Sequence, residues 1–340
     1  MQRLNLEEIG RLAGVSRSTV SRVVNGETNV SETARQRVEE IIAETGYRPH
    51  AAARSLASNR TGVIGLVIPS AAETLFDDPY FGRLILGATG ASNSMETTLA
   101  LFLFDHESDE ASIIPRVIGS GLVDGVIVTA AEIGDPVTDH LRRTSLPFVV
   151  VGRPHDPKIR FSVDVDNRGG AHKAATHLAK LGRSRPALIA PPSNTTAGID
   201  RRMGFLDGLA ENGLDIAGRT AEGSWTESSG KAAMTSLLAS EPDSVFVGSD
   251  RMAVGALRAL REAGLSCPHD IALVSFDGLI PPDQTAPRLT SVAQPVTDVG
   301  RQAVLLLKAV IDTPDHDAER IVFEPTLIVR ESCGAAEVDS

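Results

Sequence analysis

From residue 61 onward the chain repeats one pattern, a short apolar run followed by an amphipathic stretch, and this alternation limits the fold more than any other feature. VIGLVIP (63–69), TLALFLF (98–104), DGVIVTA (124–130) and FVVVG (148–152) are too short for helices and rich in β-branched or large apolar side chains. They read as buried parallel strands, with helical segments around 80–95, 109–120 and 135–143 between them. A second series follows, PALIAP (186–191), RTAEGSW (219–225), SVFVGS (244–249) and IALVSFD (271–277), separated by helices near 168–181, 201–212, 227–239 and 251–263. Two successive sets of β-α units predict two similar subdomains, each a doubly wound parallel sheet, with a cleft between them. A chain of 340 residues is too long for one core and suits two or three domains.

The first 60 residues follow a different pattern, one of helical stripes. Asn5 can cap a first helix whose apolar face holds Leu6, Ile9, Leu12 and Ala13; Gly14 supplies a turn and Ser16 a second N-cap. The next helix turns Val20, Val23 and Val24 inward and Arg17, Ser18, Ser21, Arg22 and Asn25 outward. Val30-Ser31 opens a third helix with Ala34, Val38, Ile41 and Ile42 on its stripe and Gly46 as its stop. Such a helix-turn-helix presents the start of its second helix to base edges in the major groove, where an arginine can bond guanine through O6 and N7. Charge is divided to match. Residues 1–60 carry a balance of +2 and residues 61–340 a balance of −13, within a net charge of −11. Such asymmetry suits a protein that docks one small domain on DNA and keeps the rest clear of it, though a balance of +2 carries little weight without the helical pattern.

AGVSRSTVSRVVNG, ETARQRV, GYRPHAAARSLAS and RTGVIGLVIP, in this order, resemble the LacI/GalR family of bacterial transcription regulators, and the resemblance covers essentially the whole chain. It implies a small all-α helix-turn-helix head and an α/β core of the periplasmic-binding-protein type, whose two subdomains the chain joins by three crossings. The crossings are expected near Asp164 to Asp166, Val292 to Gln294 and Glu324. The helix near 298–311 then returns to the first half and the strand LIVRES (327–332) to the second. The expected division is a head at 1–47, a hinge helix and linker at 48–61, a first subdomain at 62–164 with 293–323, a second at 165–292 with 324–333, and a tail at 334–340. The tail lacks leucine heptads, so a homodimer is expected.

By the same resemblance, Arg17, Ser18 and Arg22 match the positions that read bases, and Ser16, Thr19, Ser21, Asn25 and Ser31 those that hold phosphates and set register. For each Ser and Thr, simple capping or turn chemistry is nearly as good a reading. Residues 49–58 are helix-prone but too short to form an isolated helix. The resemblance implies a hinge helix that folds on the operator, with His50, Ala53 and Leu56 against DNA and Leu56 levering into the minor groove.

A ligand site belongs in the cleft, where strand ends face a crevice. Candidate wall groups are Tyr80 and Phe81 from DDPYF, Arg201 from DRRMGF, Trp225 from EGSWTE and Asp277 from SFDG. The resemblance implies that Arg201 and Asp277 bond sugar hydroxyls and that Trp225 and Phe81 form aromatic walls. Phe81 as plain core and Trp225 as a loop pin are the alternatives. The sequence departs from the usual family pattern at Gly152-Arg153, Ser249-Asp250 and Asp277-Gly278, each of which removes a carboxylate or amide. Thr129, Arg153, Ser249 and Arg251 are therefore added as candidate effector-binding groups.

The expected function is a DNA-binding transcriptional regulator, a repressor of a carbohydrate-uptake or catabolic operon, released from a palindromic operator by a sugar. A purine effector or a protein corepressor is the alternative, and an enzyme or a sugar-binding protein the remoter one. G-x-G-x-x-G after the first strand, a Walker loop and a G-x-S-x-G elbow are all missing, the eight histidines are scattered, and no metal or other cofactor is expected. Cys267 and Cys333, far apart in sequence, fit a reducing cytoplasm at the nucleoid. MQRLNLEEIG lacks the apolar core of a secretory signal, and no apolar run approaches the ~18 residues a membrane span needs.

Overall fold

The computed structural model describes residues 4–24, 27–47, 60–68, 77–103, 118–129, 132–313 and 315–335. They separate into two compact units, residues 1–63 with 121–124 and residues 64–120 with 125–340.

In the smaller unit, α1 (Leu6–Ala13) begins with a capping box: Asn5 accepts from the Glu7 and Glu8 amides while Glu8 reaches back to the Asn5 amide. Gly14, at φ 68°, ends it in the left-handed conformation that glycine adopts without penalty. The Ser16 hydroxyl takes the Thr19 amide at 3.1 Å and opens α2 (Arg17–Val24). Ser31 caps α3 (Glu32–Thr45) through the Ala34 amide. Ile9, Ala13, Val20, Val23 and Val38 form the core, with Leu6, Val24, Ile41 and Ile42 packed against it. Leu12, expected on the inner face, is 48% exposed. The two partner helices cover the line through Ile9 and Ala13, and Leu12 falls beside it.

The larger unit holds two six-stranded sheets, each the centre of one lobe. The first lobe contains β1 (Val63–Ile68), β2 (Thr98–Leu103), β3 (Gly125–Thr129), β4 (Phe148–Val151) and β5 (Phe161–Val165). The second contains β6 (Pro186–Ala190), β7 (Thr220–Glu222), β8 (Ser244–Val247), β9 (Ala272–Asp277) and β10 (Thr290–Ala293). Two late strands are shared out: β11 (Glu319–Phe323) joins β5 at the edge of the first sheet, and β12 (Thr326–Ile328) joins β10 in the second. The orders are β11-β5-β4-β3-β1-β2 and β12-β10-β9-β8-β6-β7. Neighbours run parallel in every described pair except β10 with β12. Strand order reverses between β1 and β3 and between β6 and β8, so the crevice lies at the carboxyl ends of these strands.

The first lobe carries α4 (Pro79–Ser94) and α5 (Pro136–Leu141). The second carries α6 (Asn167–Lys180), α7 (Thr196–Glu211), α8 (Glu227–Leu237) and α9 (Asp250–Glu262). The late helix α10 (Val296–Asp312) returns to the first lobe, where Val296, Val299, Ala303 and Leu307 join Leu84, Ala88, Ile127 and Val149 in one core. Helices pair through glycine. A Cβ on Gly87 of α4 would overlap the Thr297 carbonyl of α10, and one on Gly300 the Leu84 carbonyl. Gly230 and Gly255 join α8 and α9 in the same reciprocal way, against Met252 and Glu227, and Gly204 of α7 lies on the Arg168 carbonyl of α6.

Several elements differ from the sequence reading. β5, β10 and β11 are strands that short apolar runs did not reveal, because FSVDV, TSVA and ERIVF each carry polar residues. α7 starts five residues before 201, since Thr195 accepts the Gly198 amide and caps it. β7 spans only Thr220–Glu222, at a sheet edge. LIVRES is a strand only to Ile328; Glu331–Cys333 forms a 3₁₀ turn in which the Ser332 hydroxyl donates to the Leu273 carbonyl. The helix expected at 109–120 lies largely outside the described residues. No helix among the described residues is long and apolar enough to cross a membrane.

Candidate functional site

Arg201 of α7 organises the carboxyl ends of the second sheet. It is only 4% exposed, and a buried guanidinium must find acceptors. Its Nε donates to Asn167 Oδ1 at 2.8 Å, and one terminal nitrogen donates to the Gly248 carbonyl at 2.6 Å and to Asp277 Oδ1 at 2.9 Å. Its Cζ lies 3.8 Å from the centre of the Phe276 ring and 5.5 Å from that of Trp225. Asp277 Oδ1 also accepts from Gln294 Nε2 at 2.7 Å, and Asp277 Oδ2 from the Asp250 amide at 3.3 Å. Asp250, buried, accepts the Ser275 and Ser291 hydroxyls and the Leu279 and Ile280 amides. Trp225 (φ 64°) and Asp277 (φ 112°) hold left-handed backbone that costs a non-glycine residue about 1–3 kcal/mol. Such conformations persist where surrounding contacts over-determine them.

The first lobe contributes the start of α4. Asp78 caps it by accepting the Tyr80 amide, and its other oxygen lies 3.7 Å from Arg251 of α9. The Tyr80 and Phe81 rings meet edge to face at 5.5 Å, and both pack partly against the first lobe's core. Asp164 of β5 accepts from Asn167 Nδ2 at 3.3 Å. Two further contacts span the lobes: Arg153, after β4, grips Asp200 of α7 with two bonds of 2.6 and 2.9 Å, and the Ile133 amide donates to the Asn194 carbonyl at 2.7 Å.

Burial pushes Asp277 up to about 7 and Asp164 up to about 6, against the pull of Arg201 on both and of Arg153 on Asp164. Burial also raises Asp78, against its bond from the Tyr80 amide and the charge of Arg251. The Tyr80 phenol is raised by burial and by Asp164, Asp277 and Asp78, against the opposing pull of Arg201. One tyrosine, three carboxylates and Arg201 thus share one electrostatic neighbourhood.

Of the nine effector candidates, Tyr80, Arg201 and Asp277 come together in this neighbourhood, with Trp225 beside Arg201. Thr129 is buried at the end of β3 with its hydroxyl 3.4 Å from the Val67 carbonyl. The Ser249 hydroxyl accepts the Met252 amide and caps α9. Arg153 faces Asp200 and Arg251 faces Asp78. Sequence reasoning passed over Asp164, Asn167, Asp200, Phe276 and Gln294. A carboxylate in the otherwise buried strand FSVDV was the available signal, since an ionisable group there needs a reason.

On the head, Ser16, Arg17, Ser18 and Arg22 are exposed along the start and outer face of α2, while Thr19 and Ser21 are half-buried. The Ser16 hydroxyl lies 2.7 Å from that of Ser18 and 2.9 Å from that of Thr19. Ser31 caps α3, and Arg22 Nε is 3.9 Å from a Glu27 carboxylate oxygen. Asn25, His50, Ala53 and Leu56 lie outside the described residues.

A helix-turn-helix unit and a two-lobed α/β core, in one chain, are the two parts of a DNA-binding transcription regulator, and the similar proteins bear this class out. Residues 5–50 match the family of bacterial regulatory proteins, lacI family, and residues 175–333 match the periplasmic binding protein-like domain. The chain is 36% identical over 336 residues to the HTH-type transcriptional regulator CelR of Thermobifida fusca, covering 97% of this chain and 98% of that one. The solved complex of CelR with cellobiose shares its fold with a TM-score of 0.77 at 34% identity, over 97% of this chain and 100% of that chain. The lac repressor dimer bound to operator and the anti-inducer ONPF does so with a TM-score of 0.85 at 25% identity, over 98% and 100%. The chain belongs to the lacI family of bacterial regulatory proteins.

Proposed function

We propose that this protein is a repressor of a carbohydrate-uptake or catabolic operon, released from a palindromic operator when a sugar enters the cleft. The arrangement of Arg201, Asp277 and Trp225 carries the reading: a fixed donor and acceptor pair beside an aromatic ring suits a sugar ring. The cellobiose held by CelR supports the same ligand class. Arg17, Ser18 and Arg22 read bases, and Ser16, Thr19, Ser21, Asn25 and Ser31 position the helix on phosphates. The segment 48–61, through His50, Ala53 and Leu56, forms the hinge helix on DNA. The protein acts as a homodimer at the nucleoid in the cytoplasm, with no cofactor. The domain limits drawn from the sequence belong to the same proposal.

A ligand that bridges both lobes shifts operator affinity only by as much as it prefers one lobe angle over another, typically ~1–3 kcal/mol. The test is a gel shift with the region upstream of the protein's own gene cluster, with and without a sugar panel that includes cellobiose. A shift reversed by sugar is expected. A complex strengthened by ligand would make this a corepressor system, and no shift at all would remove the operator assignment.

A further inference from the structure

Building on the sugar reading, we infer that the cleft admits uncharged saccharides and rejects those bearing a phosphate or carboxylate. Among the described residues, three arginines serve this region and each faces a carboxylate: Arg201 with Asp277, Arg153 with Asp200, and Arg251 with Asp78. A phosphate subsite needs a cation whose charge is not already balanced, and bidentate recognition needs the guanidinium fork open. The Arg153 fork is closed on Asp200 by two bonds, and the Nε and one terminal nitrogen of Arg201 hold Asn167, Gly248 and Asp277.

Among the described residues, two further carboxylates of this neighbourhood, Asp250 and Asp164, lie beyond these pairs. Asp250 is met by two hydroxyls and two amides and has little acceptor capacity left. Asp164 accepts a long side-chain bond from Asn167 and one from the Val165 amide, and acts with Asp277 and Asp78 on the Tyr80 hydroxyl. The balance of charge is therefore acidic. A saccharide hydroxyl donates to such a wall through a charge-assisted bond. A phosphate or carboxylate brings a like charge into a poorly screened site, where repulsion is strong. Asp164 is the residue to which this selectivity is assigned.

Binding of matched pairs to the full chain tests the inference by calorimetry: cellobiose against cellobionate, and glucose against glucose 6-phosphate. The neutral member of a bound pair should bind at least tenfold more tightly. Asp164→Asn, which keeps size and removes charge, should narrow that ratio by at least threefold. If the charged members bind as well as their neutral parents in the wild-type protein, this inference falls and the sugar reading stands. If no saccharide of either kind binds while a purine base does, the sugar reading falls and takes the inference with it. If the wild-type ratio holds and a folded Asp164→Asn leaves it unchanged, the assignment to Asp164 is overturned.

Discussion

Arg201 shows how far a side chain's role can exceed what its sequence context reveals. From DRRMGF it could be expected to face a ligand, but nothing local says that it also ties α6, α7, β8 and β9 together through Asn167, Gly248 and Asp277. Those partners come from three other chain segments. Arg201→Ala leaves Asp277 buried without its countercharge, held by Gln294 and the Asp250 amide alone, so the core should lose about 3–5 kcal/mol in urea unfolding, beyond any loss of ligand response. Asp164 and Asp277 make a second prediction. Their protons leave near about 6 and 7 in the folded protein, against ~4 for an ordinary aspartate. Hydroxyls that donate to the ionised forms pull these values down, so a neutral sugar releases protons on binding below pH ~7. Its affinity should rise with pH through that window and level off above it; calorimetry in buffers of different ionisation heat checks both.

At the scale of elements, apolar runs and caps were largely legible in the sequence. Asn5, Gly14, Ser16 and Ser31 act where their types suggested, because capping depends on a few neighbouring residues. Strands β5, β10 and β11 were not, since their own residues mix polar with apolar side chains, and β11 pairs with a strand far away in sequence. Nor could sequence tell which glycines of α4 matter. Gly87 touches the α10 backbone, while Gly82 and Gly90 have open space around a Cβ. Gly300→Ala or Gly87→Ala should therefore destabilise the core by about 1–3 kcal/mol. Gly82→Ala or Gly90→Ala should stabilise it by up to ~1 kcal/mol, the helix preference of alanine over glycine. Chemical denaturation of the four variants gives the signs directly. For α2, Arg22→Ala should cost about 1–3 kcal/mol on the preferred operator and relax choice at one symmetric pair of bases. An equal loss across operators substituted at every position would make Arg22 a phosphate contact.

Across the whole molecule, the division between head and core was legible in the change from helical stripes to β-α units at residue 61, with the charge split between the first 60 residues and the rest as support. A fragment beginning at Gly62 should stay folded and dimeric by sedimentation, bind the sugar as the full chain does, and fail to shift operator DNA. Operator binding by the full chain should weaken steeply with salt as condensed counterions are released.

The three passages between lobes also set the order in which the two lobes are completed during synthesis. A ribosome delivers β1 to β5 first, yet that lobe lacks α10 and its edge strand β11 until residue 323 has emerged. By then every element of the second lobe except β12 and the turn after it has already been synthesised. The lobe begun first is thus finished nearly last. Through most of translation the surface of Leu84 and Ala88 that α10 covers stands open to water, a task for whatever shelters nascent chains.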